Sequence, residues 1–458
     1  MTEKSPDGRD STSDGRDTAP ETHGLDAVPV LELDQLIDDL GTRIIVCCGA
    51  GGVGKTTTAA ALGVRAAERG RRVVVLTIDP ARRLAQSMGI DSLDNTPRKV
   101  DGIKGSDGGE LHAMMLDMKR TFDEIVEAHA EPDRARAILE NPFYQSLSAG
   151  FAGTQEYMAM EKLGQLRARD EWDLIVVDTP PSRSALDFLD APKRLGSFLD
   201  GKFIKLLMAP AKVGGRAGMK FLNVGMSMMT GTLGKLLGGQ FLKDVQTFVA
   251  AMDTMFGGFR TRADATYKLL QAPGTAFLVV ATPERDALRE AAYFVERLAA
   301  EEMPLAGLVL NRVHGSAAAR LSAERARAAA ENLDEGRIVD QGRGKTDRGG
   351  SPATEHEPSD LATAATAPPV PEAAPTAAPA QEPAVDDADV RQLTAGLLRL
   401  HAERMRVLAR EQRTRDRFTA LHPEVAVTEV AALPGDVHDL AGLRAIGDRL
   451  TAGRASPA

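Results

Sequence analysis

Residues 43–56 read RIIVCCGAGGVGKT, and this stretch decides the fold class. The apolar run IIVCC is continuous, as in strands that are buried on both faces of a parallel sheet. The eight residues from Gly49 to Thr56 match the phosphate-loop pattern G-x-x-x-x-G-K-[ST] in full. A helical, Ala-rich segment follows at 57–69. Strand, glycine-rich loop and helix in this order predict a P-loop nucleotide-binding domain.

The loop residues have separate expected roles. Glycines permit unusual backbone angles and a close approach to phosphate, and the N–H groups of the loop and helix N-terminus bind the anion. We expect Lys55 to reach the terminal phosphates and the Thr56 hydroxyl to hold Mg²⁺, with ATP as the nucleotide. A glycine-rich turn without a ligand is the other interpretation, and the full match disfavours it. The predicted nucleotide-binding set is Gly49, Gly51, Gly52, Val53, Gly54, Lys55, Thr56 and Thr57.

Two carboxylates follow predicted strands. Asp178 ends the apolar run LIVVD, a pattern typical of a second magnesium contact in P-loop enzymes. Asp79 follows RVVVLTI and would lie on the same sheet edge, where open α/β sheets bind ligands. It could orient or deprotonate the attacking water, so Asp79 and Lys55 are the predicted catalytic residues. Asp79 as a helix N-cap is the alternative.

Strand and helix patterns alternate along the rest of the chain. Apolar runs at 111–116, 276–281 and 307–310 are separated by helical patterns, which predicts an α/β, doubly wound, mostly parallel sheet. We expect an ATPase domain at 26–335 with a helical, Met-rich insertion at 196–262, completed by a helix and last strand within 389–450. The Pro- and Ala-rich stretch 336–388 is predicted to be a disordered linker, and 1–25 and 451–458 disordered tails.

Composition excludes several classes of protein. The net charge is −9 and aromatic residues make up 4 %, so no nucleic-acid partner is expected. The two cysteines, Cys47 and Cys48, are adjacent in the first strand, which excludes a disulfide scaffold and a Cys-based zinc site and suggests buried core. The absence of an apolar leader or an 18-residue apolar run predicts a cytoplasmic protein without a transmembrane segment.

A methionine-bearing stripe stands out in the insertion. Residues 201–243 contain no Asp or Glu, and five apolar side chains recur at helical spacing: Met219, Leu222, Met226, Met229 and Leu233. Because Met clusters suit adaptable binding of varied apolar segments, we hypothesise a client groove. A basic helix on a membrane surface and a plain core face remain alternatives.

The sequence resembles the ArsA family of ATPases, within the deviant Walker A class. The resemblance rests on GGVGKTT (51–57), Asp79-Pro80-Ala81 and Asp178-Thr179-x-Pro181, and it covers about residues 40–325 and 389–450. It implies adenine contacts from Asn311 and Pro434, a switch I centred on Asp79 and a switch II that starts at Asp178. It also implies a dimer whose nucleotides face the interface.

The chain departs from the family pattern at three places. Ala50 stands where the family has a lysine that reaches the partner's phosphates. Either hydrolysis is weaker, or Arg82 or Arg83 substitutes, or a paralogous partner supplies the lysine in a heterodimer. Ser184 replaces the usual switch II histidine, which places the coupling of this switch to a client in question. The metalloid-binding cysteines of the family's arsenite pumps are absent, which argues against an arsenite-pump role.

Four functions follow from these patterns. The favoured one is an ATP-driven dimeric switch that captures or targets an apolar polypeptide or membrane-protein client. The alternative is a regulatory ATPase like ParA or MinD that acts on a partner or a membrane surface. An arsenite-pump subunit fails on the cysteines, and a scaffold that binds ATP without turnover is motivated by Ala50 alone.

Overall fold

The computed structural model describes most of the predicted ATPase domain. The described residues are 29–79, 83–105, 108–147, 155–180, 239–343 and 387–452. The five residues of the methionine-bearing stripe, Arg82, Ser184 and most of the predicted linker and tails lie outside them.

One eight-stranded sheet organises the described residues. Its strands are β1 (Ile44–Cys48), β2 (Arg72–Thr77), β3 (Arg98–Lys99), β4 (Glu110–Met115), β5 (Leu174–Asp178), β6 (Thr275–Ala281), β7 (Leu305–Val313) and β8 (Val427–Ala431). They lie in the order β3-β4-β2-β5-β1-β6-β7-β8. Only the β3–β4 pair among them is antiparallel. The predicted α/β, mostly parallel sheet is therefore confirmed, with β1 at its centre.

Helices cover both faces of this sheet. They are α1 (Leu33–Asp38), α2 (Lys55–Glu68), α3 (Arg83–Ser87), α4 (Met118–His129), α5 (Pro132–Leu139), α6 (Pro142–Leu147), α7 (Gln155–Arg169), α8 (Gly239–Gln271), α9 (Arg285–Ala300), α10 (Ala323–Arg343), α11 (Asp387–Leu421) and α12 (Leu440–Thr451). No helix in these described ranges combines the length and the apolar character needed to cross a membrane.

Successive strand residues supply two separate cores. Val46, Val177 and Val279 belong to the core that α4, α7, α8 and α9 cover. The neighbouring residues Ile45 and Val176 belong to the opposite core, under α1, α2 and α12. Burial on both faces explains why these strands are continuously apolar rather than alternating.

Several elements differ from the sequence-based expectation. Helix α10 extends to Arg343, inside the stretch predicted as linker from 336, and α11 begins at Asp387. The edge strand β3 was not predicted, because its two residues, Arg98 and Lys99, are exposed and carry no apolar pattern. Helix α12 was also missed, although Leu443 and Leu450 pack against the core beside α2.

Candidate nucleotide site

The phosphate loop lies between β1 and α2, at the carboxyl end of the central strand. Three of its glycines have positive φ: 146° at Gly49, 78° at Gly52 and 96° at Gly54. A Cβ atom at Gly49 would lie 2.1 Å from the carbonyl oxygen of Val280 on β6. Glycine therefore suits these positions because it adopts positive φ readily, and at Gly49 also because there is no room for a Cβ atom. Gly54 is the N-cap of α2, so the helix N-terminus faces the loop.

Lys55 lies inside the loop rather than in solvent. Its side chain is buried, and Nζ donates to the carbonyl oxygens of Gly49 at 3.0 Å and Ala50 at 2.7 Å. Burial lowers the pKa of Lys55, and the nearby carboxylates of Asp178 and Asp79 act in the opposite direction. An ammonium in this position is available to a phosphate group that enters the loop.

The ends of three adjacent strands bring the two predicted carboxylates beside the loop. Asp178 is in register with Cys47 of β1 on one side and with Thr77 of β2 on the other. The Thr77 hydroxyl donates to Asp178 Oδ2 at 2.9 Å and accepts from the Asp79 N–H at 3.2 Å. Thr77 thus links both carboxylate residues, and sequence reasoning missed this role. The available signal was one polar residue near the end of an apolar strand.

Asp178 has the environment of a metal ligand. Its side chain is fully buried, and Oδ1 has no hydrogen-bond partner within the described residues. Burial raises the pKa of Asp178 to about 6, although the Thr56 and Thr77 hydroxyls and Lys55 favour the charged form. Carboxylate and hydroxyl oxygens are the ligands that Mg²⁺ prefers. The pair of Asp178 and Thr56 therefore fits Mg²⁺, and the buried Oδ1 atom is an acceptor left free for such an ion.

Asp79 follows β2 at the same edge of the sheet and is half-buried. The preceding residue, Ile78, is held on both sides: its N–H donates to Asp178 O at 2.9 Å, and its carbonyl accepts from Gln155 Nε2 at 2.9 Å. Gln155 is the first residue of α7. The backbone before Asp79 is thus fixed by β5 and by a helix, a contact that sequence reasoning also missed.

The two residues implied as adenine contacts lie in different settings. Asn311 of β7 is buried, and its Nδ2 donates to Val53 O of the phosphate loop at 2.8 Å. Its Oδ1 accepts from the N–H of Arg312. Pro434 is exposed in the turn after β8, on the same sheet edge. The structure therefore gives Asn311 a contact that supports the loop, and its adenine contact stays a prediction.

The structure describes both cysteines, and it describes Ala50 and Arg83 but not Arg82 among the residues discussed for the missing lysine. Cys47 and Cys48 are fully buried in β1, as predicted, and burial raises the pKa of Cys48 to about 12.

Ala50 is buried in the loop, and Arg83 is exposed at the start of α3. Within the described ranges no group of three His, Cys, Asp or Glu side chains could hold a metal ion.

Comparison with known proteins shows a family match that spans these residues. The sequence model of the anion-transporting ATPase family, ArsA, matches residues 42–335, which include the phosphate loop, both carboxylates and Asn311.

Individual relatives carry ATPase names. A protein named ATPase GET3 from Podospora anserina is 26 % identical over 283 residues, which are 61 % of this chain and 76 % of that protein. ATPase ARSA2 from Chlamydomonas reinhardtii is 27 % identical over 293 residues, 62 % of this chain and 72 % of that protein. ATPase GET3 from Malassezia globosa is 31 % identical over 163 residues, 36 % of this chain and 46 % of that protein.

Proposed function

The chain belongs to the anion-transporting ATPase family and is an ATP hydrolase, and from this premise we propose that it is a magnesium-dependent, dimeric switch that captures an apolar polypeptide. The observation that carries the chemical part is the register of Cys47, Asp178 and Thr77. This register places the loop, the predicted metal ligand and Asp79 on one sheet edge.

Each side chain has one task in the proposed reaction. Lys55 and the loop N–H groups neutralise the phosphates. Thr56 and Asp178 would hold Mg²⁺, which would stabilise the charge of the terminal phosphoryl group. Asp79 accepts a proton from the attacking water or orients it. The hydroxyl of Thr77 and the amide of Gln155 keep the backbone around Asp79 in place.

The proposed client groove is the stripe of Met219, Leu222, Met226, Met229 and Leu233. It immediately precedes α8, which packs on α7, the helix that carries Gln155. In the C-terminal half of α8, Arg262 forms an ion pair with Glu161 of α7 at 2.7 Å. The contacts of α8 with α7 support a physical connection between the insertion and the backbone before Asp79.

The proposed dimer is a heterodimer with a paralogue that carries the signature lysine. Phosphoryl transfer is accelerated by a cation supplied in trans, and Ala50 cannot supply one. This chain would still receive the lysine of its partner at its own Lys55, Thr56 and Asp79. A homodimer that uses Arg82 or Arg83 is the competing arrangement, and Arg83 is exposed.

Turnover of MgATP, measured for the purified chain alone and with a lysine-bearing paralogue added, tests the chemical part. We expect Lys55→Ala to abolish nucleotide binding and Asp79→Asn to retain binding while turnover falls at least about 100-fold. Asp133→Asn, at an exposed carboxylate of α5, is the matched control and should change neither. Wild-type turnover by the Asp79→Asn protein would contradict the role of Asp79.

Two further measurements test the client and the partner. Met226→Glu/Met229→Glu should remove co-purifying apolar polypeptides and leave basal ATP turnover intact. Near-zero turnover alone that is restored by a lysine-bearing paralogue would support the heterodimer. Brisk, concentration-dependent turnover that Arg82→Ala or Arg83→Ala abolishes would reject it.

A further inference from the structure

Helix α11 carries an apolar stripe that the other described parts of the chain leave uncovered. The stripe consists of Val390, Leu393, Leu397, Leu400 and Val407, and each of these side chains is between 45 % and 65 % exposed. On another side of the same helix Ala395 and Ala402 are buried, and α10 packs along the helix. The helix therefore already has its partner within the chain, and the stripe lies apart from that contact.

The stripe has the spacing of a coiled-coil seam. Its members fall at intervals of three, four, three and seven residues, which are the a and d positions of successive heptads. Arg404 fills the remaining a position, and its guanidinium donates to the carbonyl oxygen of Gly315. Gly396 stands beside the central leucines with open space around its Cα atom, so another backbone could approach closely there. Contiguous exposed apolar surface of this kind typically marks an interaction site.

We propose that this stripe, which we call the leucine seam, pairs with the leucine seam of a second copy of the chain in antiparallel orientation. In an antiparallel pair, position a of one helix faces position d of the other. With Leu397 facing Leu400 of the second copy, Val390 faces Val407. The set is thus symmetric about its centre, and every apolar member except Leu393 finds an apolar partner. Leu393 faces Arg404, whose guanidinium is already held by Gly315.

The charges on α11 favour the same orientation. Asp387 and Asp389 lie at the N-terminal end of the seam, where Asp387 also forms an ion pair with Arg391 at 3.9 Å, and Arg410 lies at its other end. An antiparallel pair brings the acidic end of each helix beside the basic end of the other, and it also opposes the two helix dipoles. A parallel pair would place acidic ends together and basic ends together. A second copy therefore matches the seam in shape and in charge.

The pairing is expected to be weak by itself. A stable interface typically buries about 800 Å² on each partner, more than five half-exposed side chains can supply. We therefore expect self-association without nucleotide with a Kd of about 10–100 μM, a range typical of small transient contacts. This inference concerns α11 alone and does not rest on the ATPase site.

Sedimentation of the full chain without nucleotide tests the contact. We expect Leu397→Glu/Leu400→Glu to weaken self-association at least about tenfold, with unchanged circular dichroism and unchanged turnover per site at low concentration. The matched control is Leu40→Glu, because Leu40 is 72 % exposed and lies after α1, outside the seam. Equal self-association of the seam variant and the wild type would overturn the proposal.

Cross-linking tests the orientation independently of stability. Chains carrying Val390→Cys are mixed with chains carrying Val407→Cys, and the two native cysteines are both buried. We expect disulfides between the two kinds of chain and few within either kind. Predominant disulfides between two Val390→Cys chains would overturn the antiparallel pair. A further outcome would also overturn the proposal. If backbone amides of the seam exchange slowly at nanomolar concentration, and this protection is lost on deletion of residues 350–380, then that segment of the same chain covers the seam and a second copy does not.

Discussion

The side-chain amide of Gln155 donates to the carbonyl oxygen of Ile78 at 2.9 Å. Ile78 directly precedes Asp79, and its N–H is bound to Asp178 O, so the bond from Gln155 completes the fixation of this peptide. Gln155 begins α7, which packs against α8 and thus connects the backbone before Asp79 with the helix that follows the methionine-bearing stripe in the sequence. We therefore expect Gln155 to position Asp79 and not to take part in the chemical step itself.

We predict that Gln155→Ala lowers kcat about 5- to 50-fold and leaves nucleotide affinity within about twofold. The reason is that a small displacement of Asp79, the proposed catalytic carboxylate, is costly in rate, while the proposed phosphate-binding loop is untouched. Single-turnover kinetics and a nucleotide-binding titration measure the two quantities. Gln271→Ala is the matched control, because Gln271 Nε2 donates to Glu301 O at 2.8 Å near the opposite edge of the sheet. Equal kcat values for the two variants would contradict the positioning role.

A second prediction concerns the link between Asp178 and Asp79. Thr77→Val keeps the shape of the side chain but removes the hydroxyl that donates to Asp178 and accepts from Asp79 N–H. We expect weaker stabilisation by MgATP and at least about tenfold lower turnover, together with a stability loss of about 1–3 kcal/mol from the unpaired carboxylate oxygen. Denaturant unfolding with and without MgATP measures both effects.

Thr275→Val provides the comparison. Thr275 is also a buried strand threonine, and its hydroxyl donates to Leu269 O at 2.9 Å. It lies at the amino end of β6, so we expect a similar loss of stability without any change in the response to MgATP. An identical MgATP response in the two variants would show that the Thr77 hydroxyl has no part in the site.

The third prediction is a pH dependence at Asp178. Its pKa in the folded protein is raised to about 6, so the ionised carboxylate opposes folding above that pH when no cation is bound. Any stability that comes from the protonated form is present at low pH and is lost as the pH rises through about 6. Mg²⁺ needs the ionised form, so its affinity should fall when the pH decreases through the same range.

Asp178→Asn separates these two effects. Without Mg²⁺ at pH 8 we expect this variant to be more stable than the wild type, by about 1–3 kcal/mol, because each unit of pKa shift corresponds to about 1.4 kcal/mol. The variant should lose the stabilisation by MgATP and the pH dependence of Mg²⁺ affinity. A wild-type Mg²⁺ titration by the variant would exclude Asp178 as a ligand.

The sequence predicted those parts of the fold that depend on local pattern. The apolar runs around Val46, Val177 and Val279 predicted buried parallel strands, and the phosphate-loop glycines predicted the turn after β1; the structure confirms both. The contacts of Thr77, Gln155 and Asn311 were not predictable in the same way. Each joins residues more than 70 positions apart or depends on strand register, which sequence pattern in one segment does not contain.

The last prediction uses two glycines of the loop that differ in their surroundings. Gly52 and Gly54 both have positive φ, so replacement of either by alanine costs roughly 1–2 kcal/mol of backbone strain. A Cβ atom at Gly52 would have no neighbour within 4 Å, but at Gly54 it would lie 2.3 Å from Asn311 Nδ2. We therefore expect Gly54→Ala to reduce stability and nucleotide affinity more than Gly52→Ala.

Asn311→Ala alone should weaken nucleotide binding moderately, because Val53 O loses its donor. The double variant Gly54→Ala/Asn311→Ala should lose less unfolding free energy than the sum of the two single variants, because Asn311→Ala removes the side chain with which the new Cβ clashes. A coupling energy of about 0.5–3 kcal/mol is expected for neighbours of this kind. Unfolding free energies of the four proteins in this cycle, with Gly52→Ala/Asn311→Ala as the additive control, measure the coupling. Strict additivity in both pairs would mean that Asn311 does not support the loop at Gly54.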